Sequence, residues 1–396
     1  MKFPLAIFAA VALGACGDPA SQVSTAPIFD GHNDLIANYV DENGELRADK
    51  GEFAAGLKGQ TDAARLTKGG FGGALVTVSS IACGDEEPCY PSLVQAMDWF
   101  DALADENNAS IAKPLTSAAA RAAIAEGRLA FVMAVEGGDQ FDGSLGNLRD
   151  AWSRGVRSAL IVYDHNNDLG DGARAFDYAP GAGPEHGGLS PLGRDFIAEM
   201  NRLGMIVDLS HADEKTALDA IEASAAPVLF SHSGARARAD TPRNLSDAVL
   251  KSAADRGALI MIPFVPYLTT TDHWLWFDAG EREYDRLGSM ERATEKSIAD
   301  GMAKWDAGNP RPAVSVSDVA DQIEYVSSIV GRGNVGIGTD FDGMGGFTIP
   351  SLDDASDAPL LVKELRRRGW SEADLTGLAS ENFLDFWARV ETMRDK

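Results

Sequence analysis

The chain is short of cysteine, of basic charge and of long apolar runs, and each shortage closes off a class of function. Its three cysteines, Cys16, Cys83 and Cys89, are too few to complete a thiolate-held metal site. Thirty-five Lys and Arg stand against 60 Asp and Glu, a formal net charge of -25. Nucleic acid is therefore excluded as a partner, because its binding needs a basic footprint. The apolar stretch near the N-terminus, Phe3 to Ala15, is too brief to span a bilayer. No tandem repeat and no low-complexity tract is evident. The acidic excess reads as a solvated surface, the alternative being acids gathered around a cationic site.

What is present begins with a processing signal. Lys2 supplies a minimal positive region before the apolar stretch, so residues 1–15 read as a signal peptide. They end in Leu13-Gly14-Ala15-Cys16, which resembles a bacterial lipobox, with Cys16 the lipidated residue. Residues 16–26 then form a small-residue tether. These features imply an exported protein, lipid-anchored in the bacterial cell envelope and facing the periplasm. Gly17 rather than Asp after Cys16 leans toward the outer membrane. With Cys16 so used, Cys83 and Cys89 are an even pair, expected as a disulfide around a short loop.

Residues 27–390 read as one domain. Eight strand candidates are Pro27 to Leu35, Gly72 to Ser80, Leu129 to Glu136, Val156 to Asp164, Met205 to Ser210, Pro227 to His232, Ala258 to Phe264 and Val335 to Asp340. Several are near-continuous apolar runs, as strands buried on both faces require. Helical patterns lie between most of them. In the clearest, Ser190 can cap, Pro191 suits the first turn and Gly204 suits the stop. Eight such units imply an α/β fold, a closed (β/α)8 barrel of the TIM type, with a doubly wound open sheet as the alternative. A long connection at 265–317, between the seventh and eighth strands, is expected as a helical insertion. It holds Trp274, Leu275, Trp276 and Phe277, then a charged helix from Gly280 to Lys304. It serves either as a lid or as packing on the barrel rim or another subunit, which leaves a homodimer open.

The chemistry lies at the strand ends. His32 and Asp34 close the first candidate, Glu136 the third, His211 and His232 the fifth and sixth, and Asp340 the last. Side chains at the same end of neighbouring parallel strands meet in space. His32 and Asp34, two apart, face one way and suit a borderline divalent ion. Glu136 has two oxygens and can bridge, and His211 with His232 can hold a second ion. The expected cofactor is two Zn²⁺, such paired ions typically sitting ~3.5–4 Å apart around a bridging hydroxide nucleophile. Asp340 would take its proton. His186, His273 and Asp342 read as structural, Asp342 within its own turn.

These residues stand in motifs that resemble a known family. Phe29-Asp30-Gly31-His32-Asn33-Asp34, Glu136-Gly137, Ser210-His211, Phe230-Ser231-His232-Ser233 and Gly338-Thr339-Asp340-Phe341-Asp342-Gly343 are similar to those of the membrane (renal-type) dipeptidases, peptidase family M19, of the amidohydrolase superfamily. The resemblance runs from about Pro27 to Trp387. It implies the same metal ligands and bridge, and Asp340 beside the bridging water. It also implies that His165 steadies the tetrahedral intermediate and that Arg243 grips the substrate's terminal carboxylate. Two departures stand out. The 265–317 insertion looks longer than in the mammalian-type enzymes, and Val162-Tyr163-Asp164 precedes His165 where a Thr is expected. The reading is a zinc dipeptidase acting on free-carboxylate dipeptides, with D-residues admitted at the second position. The rivals are another binuclear amidohydrolase, acting on a lactam, lactone or N-acyl amino acid, and a non-catalytic metal-binding lipoprotein.

Overall fold

A computed structural model of the chain describes residues 26–41, 46–47, 51–54, 56–79, 88–173, 183–290 and 293–394. The expected signal segment, Cys16, nearly all of the tether and Cys83 lie outside them. Cys89 is disulfide-bonded.

Strand and helix alternate along the chain. β1 (Ile28–Asn33), α1 (Ala63–Gly69), β2 (Phe71–Thr77), α2 (Tyr90–Glu106), β3 (Ile111–Ala112), α3 (Ser117–Ala125), β4 (Leu129–Val135), α4 (Leu145–Arg154) and β5 (Ser158–Leu160) form the first half. The second half is α5 (Pro191–Leu203), β6 (Ile206–Asp208), α6 (Glu214–Ala223), β7 (Leu229–Phe230), α7 (Asp247–Asp255), β8 (Leu259–Ile262), α8 (Pro266–Thr269), α9 (Thr271–Gly288), α10 (Glu295–Gly308), α11 (Val316–Val330), β9 (Val335–Ile337), α12 (Pro359–Arg367), α13 (Glu372–Thr376) and α14 (Asn382–Glu391). All pairings between these strands are parallel. β1 pairs with β2 and β9, and β2 pairs in turn with β4, so eight strands close into a barrel and the open sheet is excluded.

The ninth strand, β3, was not among the sequence candidates. It is two residues long and pairs only with the start of β4, along the edge whose far end β5 takes. Local chemistry sets the helix ends. The Ser190 hydroxyl accepts from Gly193 N–H, Pro191 opens α5, and Gly204 ends it in the left-handed region.

Two apolar layers follow from strand alternation. Phe131, Met133 and Val135 of β4 face the outer helices, whereas Ala130, Val132 and Ala134 face into the barrel. The inner layer also holds Phe29, Leu75, Ile206, Leu229, Leu259 and Met261, and joins Phe383, Phe386 and Trp387 of α14. That helix closes the end where the strands begin. Asn382 donates to Val335 C=O at the start of β9, and Arg389 to Gly257 C=O just before β8. Close passage inside the barrel excludes side chains at Gly338, where a Cβ would lie 1.7 Å from Ser231 O.

The insertion is helical from its start. The charged helix expected from Gly280 begins earlier, because Thr270 caps α9 ahead of the aromatic residues. Trp274 and Phe277 of α9 pack with Tyr267, Trp276 and Phe347. No residue of α10 is buried. Among the described residues, no helix is long and apolar enough to cross a membrane.

Candidate metal centre

The strand ends converge as the sequence implied. His32, Asp34, Glu136, His211, His232 and Asp340 lie together at the end opposite α14, and most of them line a cavity of about 430 Å³. Three imidazoles aim at one carboxylate oxygen. Glu136 Oε1 lies 3.4 Å from His32 Nε2, 3.2 Å from His211 Nε2 and 3.4 Å from His232 Nε2. Asp34 Oδ2 is 3.3 Å from His32 Nε2. Two sets able to hold an ion result, His32–Asp34–Glu136 and Glu136–His211–His232, sharing Glu136. Asp340 groups with His32 and His232.

Backbone and neighbours hold these groups in place. Glu136 N–H donates to Ser79 Oγ at 2.7 Å. Ser231 Oγ lies 2.8 Å from His232 Nδ1, and Asp164 Oδ1 lies 2.6 Å from His211 Nδ1, so both rings turn Nε2 inward. Beneath the site, Asp30 accepts from Thr339 N–H, Thr339 Oγ1–H and Asn33, tying β1 to β9. Three side-chain-bearing residues here, His211, Asp340 and Asp342, have left-handed backbone, with φ of 68°, 62° and 71°. Strain of this kind concentrates at functional sites. Gly343 leaves the carboxylates room, since a Cβ there would come within 2.2 Å of Asp34 Oδ2.

The charge balance of the cluster suits a cation. Burial disfavours a charged His32, yet Glu136 and Asp34 outweigh it and push the imidazole up to about 10. His232 stays neutral, lowered by burial and then by the charges of His32 and Arg243. Glu136 is held well below the usual carboxylate range, His32 and the hydrogen bonds from His211 and His232 overcoming its burial. Three carboxylates around imidazoles thus gather a proton where a cation would sit. The donor set fits a divalent metal. His211 Nε2 and His232 Nε2 are 2.9 Å apart, close to the roughly 3.3 Å expected of two nitrogens on one tetrahedral zinc.

Arg243 also reaches the site. It is buried at 4% exposure, with Nη1 donating to Ser233 Oγ at 3.0 Å and Nε 3.9 Å from Asp164 Oδ1. Its Nη2 is buried with no hydrogen-bond partner.

His165 and Asp342 sit differently from the sequence reading. His165 is exposed and does not line the cavity; Tyr163 and Asp164 do. The chain is irregular beyond Leu160, so no strand alternation sets which of these three side chains meets the cavity. Asp164 closes the Val156 to Asp164 run, so the strand-end signal that found the other groups could have found it. Asp342 does not bond only within its turn: its carboxylate accepts from Gln60 N–H and Thr61 Oγ1–H, pinning the loop before α1. Tyr267 was also missed. It lines the cavity and stacks on Phe277 at 4.2 Å, so the insertion supports the cavity wall. His186 and His273 lie away from the cluster, as expected. His186 Nε2 is 2.9 Å from Asn167 O, and His273 Nε2 accepts from Arg311.

The sequence matches the profile of the membrane dipeptidase family, Peptidase family M19, over residues 20–396. Solved structures share the fold. The probable dipeptidase PvdM from Pseudomonas aeruginosa is 24% identical with a TM-score of 0.78, covering 93% of this chain and 96% of that one. A metallo peptidase from Rhodobacter sphaeroides, liganded with a phosphinate mimic of the dipeptide L-Ala-D-Ala, is 22% identical with a TM-score of 0.71, covering 92% and 99%. Dipeptidase AC, of the same peptidase family, is 23% identical with a TM-score of 0.71, covering 92% and 98%.

Proposed function

The chain belongs to the membrane dipeptidase family, peptidase family M19, and is a metallo-dipeptidase; from that premise we propose that it hydrolyses free-carboxylate dipeptides with two zinc ions. His32, Asp34 and Glu136 would hold one ion, and Glu136, His211 and His232 the other. When bound, the ions supply an activated water and polarise the scissile carbonyl.

The chain's own residues do the rest. Asp340 is buried beside the cluster, its carboxyl pushed up to about 7 by burial against the opposing His32 charge, with Asp34 and Glu136 adding. A carboxyl near neutrality can take a proton at its carboxylate oxygen and return it to the leaving amine. Tyr163 lines the cavity, its ring stacked on His211.

The observation that carries the dipeptide reading is Arg243. A buried guanidinium with an unpaired Nη2, on the wall of the cavity, suits a substrate carboxylate. The cavity is in the range of small-molecule sites. The mimic bound by the Rhodobacter sphaeroides neighbour extends the reading to a D-residue at the second position. The test compares dipeptides with their C-terminal amides on the metal-loaded protein. Free dipeptides should be cleaved far faster; equal rates would move the lactam or N-acyl reading ahead.

The Leu13-Gly14-Ala15-Cys16 run supports lipidation at Cys16 and an envelope location. Mass spectrometry of the mature protein should show an acylated Cys16, and a mature chain starting downstream, unmodified, would refute it.

A further inference from the structure

Asp164 stands where two parts of the site meet. Its Oδ1 is 2.6 Å from His211 Nδ1 and 3.9 Å from Arg243 Nε, so one oxygen faces an imidazole on one side and a guanidinium on the other. The carboxylate is buried at 5% exposure. Among the described residues it is the only acid paired with Arg243. His211 needs such support. Its backbone is left-handed, outside the strand ladder, and its ring is held by Asp164 at one edge and by the Tyr163 ring stacked 4.4 Å away.

We infer that Asp164 is a positioning residue that couples the His211 metal site to the Arg243 clamp. The inference rests on reading His211 as a ligand and Arg243 as the carboxylate clamp. By accepting from Nδ1–H, Asp164 selects the tautomer that leaves the Nε2 lone pair toward Glu136 and His232. Ser233 holds Nη1 and Asp164 faces Nε, which leaves Nη2 for the substrate. The same carboxylate partly neutralises the guanidinium. The clamp is therefore tempered, and a bound product carboxylate is held less tightly than a lone arginine would hold it.

Three forms of the full chain test this: wild type, Asp164→Ala and Asp164→Asn. Zn²⁺ affinity is measured by competition with a chromophoric chelator, and KM and kcat are measured for a dipeptide and its amide. Asp164→Ala should weaken one of two zinc ions by roughly 10–100-fold, the usual effect of losing such a partner. Asp164→Asn keeps an acceptor for Nδ1–H and should recover most of that affinity. Having lost the charge beside Arg243, it should lower KM for the free dipeptide several-fold while leaving KM for the amide in place. A purely structural role would not produce that split. If Asp164→Ala does not fold, the Asn variant still decides on KM. Wild-type zinc affinity in both variants, with an unchanged free-to-amide KM ratio, overturns the inference. Wild type that binds no zinc, or shows no carboxylate preference, overturns the functional reading and this inference with it.

Discussion

The two ends of the barrel are built from the same strands and do opposite work. At the closed end β1 contributes Phe29, stacked on Phe383 of α14 at 4.3 Å; a few residues on, the same strand delivers His32 and Asp34. β4 gives Ala130, Val132 and Ala134 to the inner apolar layer and then Glu136 to the metal cluster. Where the strands begin, side chains are apolar and close-packed. Where they end, buried charges crowd together and three residues adopt left-handed backbone. Stability is stored at one end and spent at the other, the usual division in barrels of this kind.

The sharpest way to break that division is at the shared carboxylate. Glu136→Gln keeps the shape but removes the charge that three imidazoles face. The expected result is loss of two-ion occupancy and a fall in kcat/KM of about 10³-fold or more, roughly 4 kcal/mol. Elemental analysis that finds two metals per chain in an active Glu136→Gln variant would contradict the bridging role.

The opposite outcome is expected at the closed end. Trp387 is fully buried, and its indole N–H has no hydrogen-bond partner, so truncation strands no polar group. Trp387→Ala should cost about 3–5 kcal/mol through lost contacts and a cavity. Urea unfolding measures that cost, and zinc affinity of the folded variant should equal wild type. A parallel loss of zinc affinity would show that the two ends are not separable.

This division also decided how much could be read from the sequence. Apolar runs announced the eight barrel strands, because strands buried on both faces need them. Their polar last residues announced six of the site groups. What escaped was whatever depends on offset or on distant partners. His165 and Asp164 differ by one residue, and the irregular chain beyond β5, which carries no periodicity, brings Asp164 to the cavity. Asp30 reads as part of a motif, yet its role needs Thr339, 309 residues away. β3 has two residues, too short for any periodicity to show. Tyr267 lies in the insertion, where no strand ending marks it.

A smaller effect should separate recognition from metal binding within the open end. Arg243→Ala removes the clamp but none of the metal ligands, so metal content should stay at the wild-type level. The expected loss in kcat/KM on free dipeptides is roughly 10²-fold, about 2.7 kcal/mol. Amides should lose far less. Arg243→Lys restores charge without the fork and should recover only part of the rate. An equal loss on amides would mean that Arg243 supports the site rather than the substrate.

The smallest predicted effect uses titration to contrast the site with the outer helices. At the open end burial pushes the Asp340 carboxyl up to about 7, which costs stability when it ionises. Glu199, in the half of α5 that runs back toward the closed end, is shifted the other way. Hydrogen bonds from Arg202 and then Arg149 hold it at about 2, below its ordinary 4.5. Arg149 Nε and Arg202 Nη2 both lie 2.7 Å from Oε1. A carboxyl depressed by folding stabilises fully above its unfolded value, and the benefit fades as pH falls through its folded value. The window is therefore from 4.5 down to about 2. Both arginines are about half exposed, so water screens the pairs and the contribution should be on the order of 1 kcal/mol. Glu199→Gln should be less stable than wild type by that amount near neutrality, and the gap should close across the window. Other carboxylates titrate there too, but they do so in both proteins and cancel in the difference. A gap that stays constant with pH would show that Glu199 acts by packing alone, and the electrostatic contrast between the outer helices and the open end would lose its support.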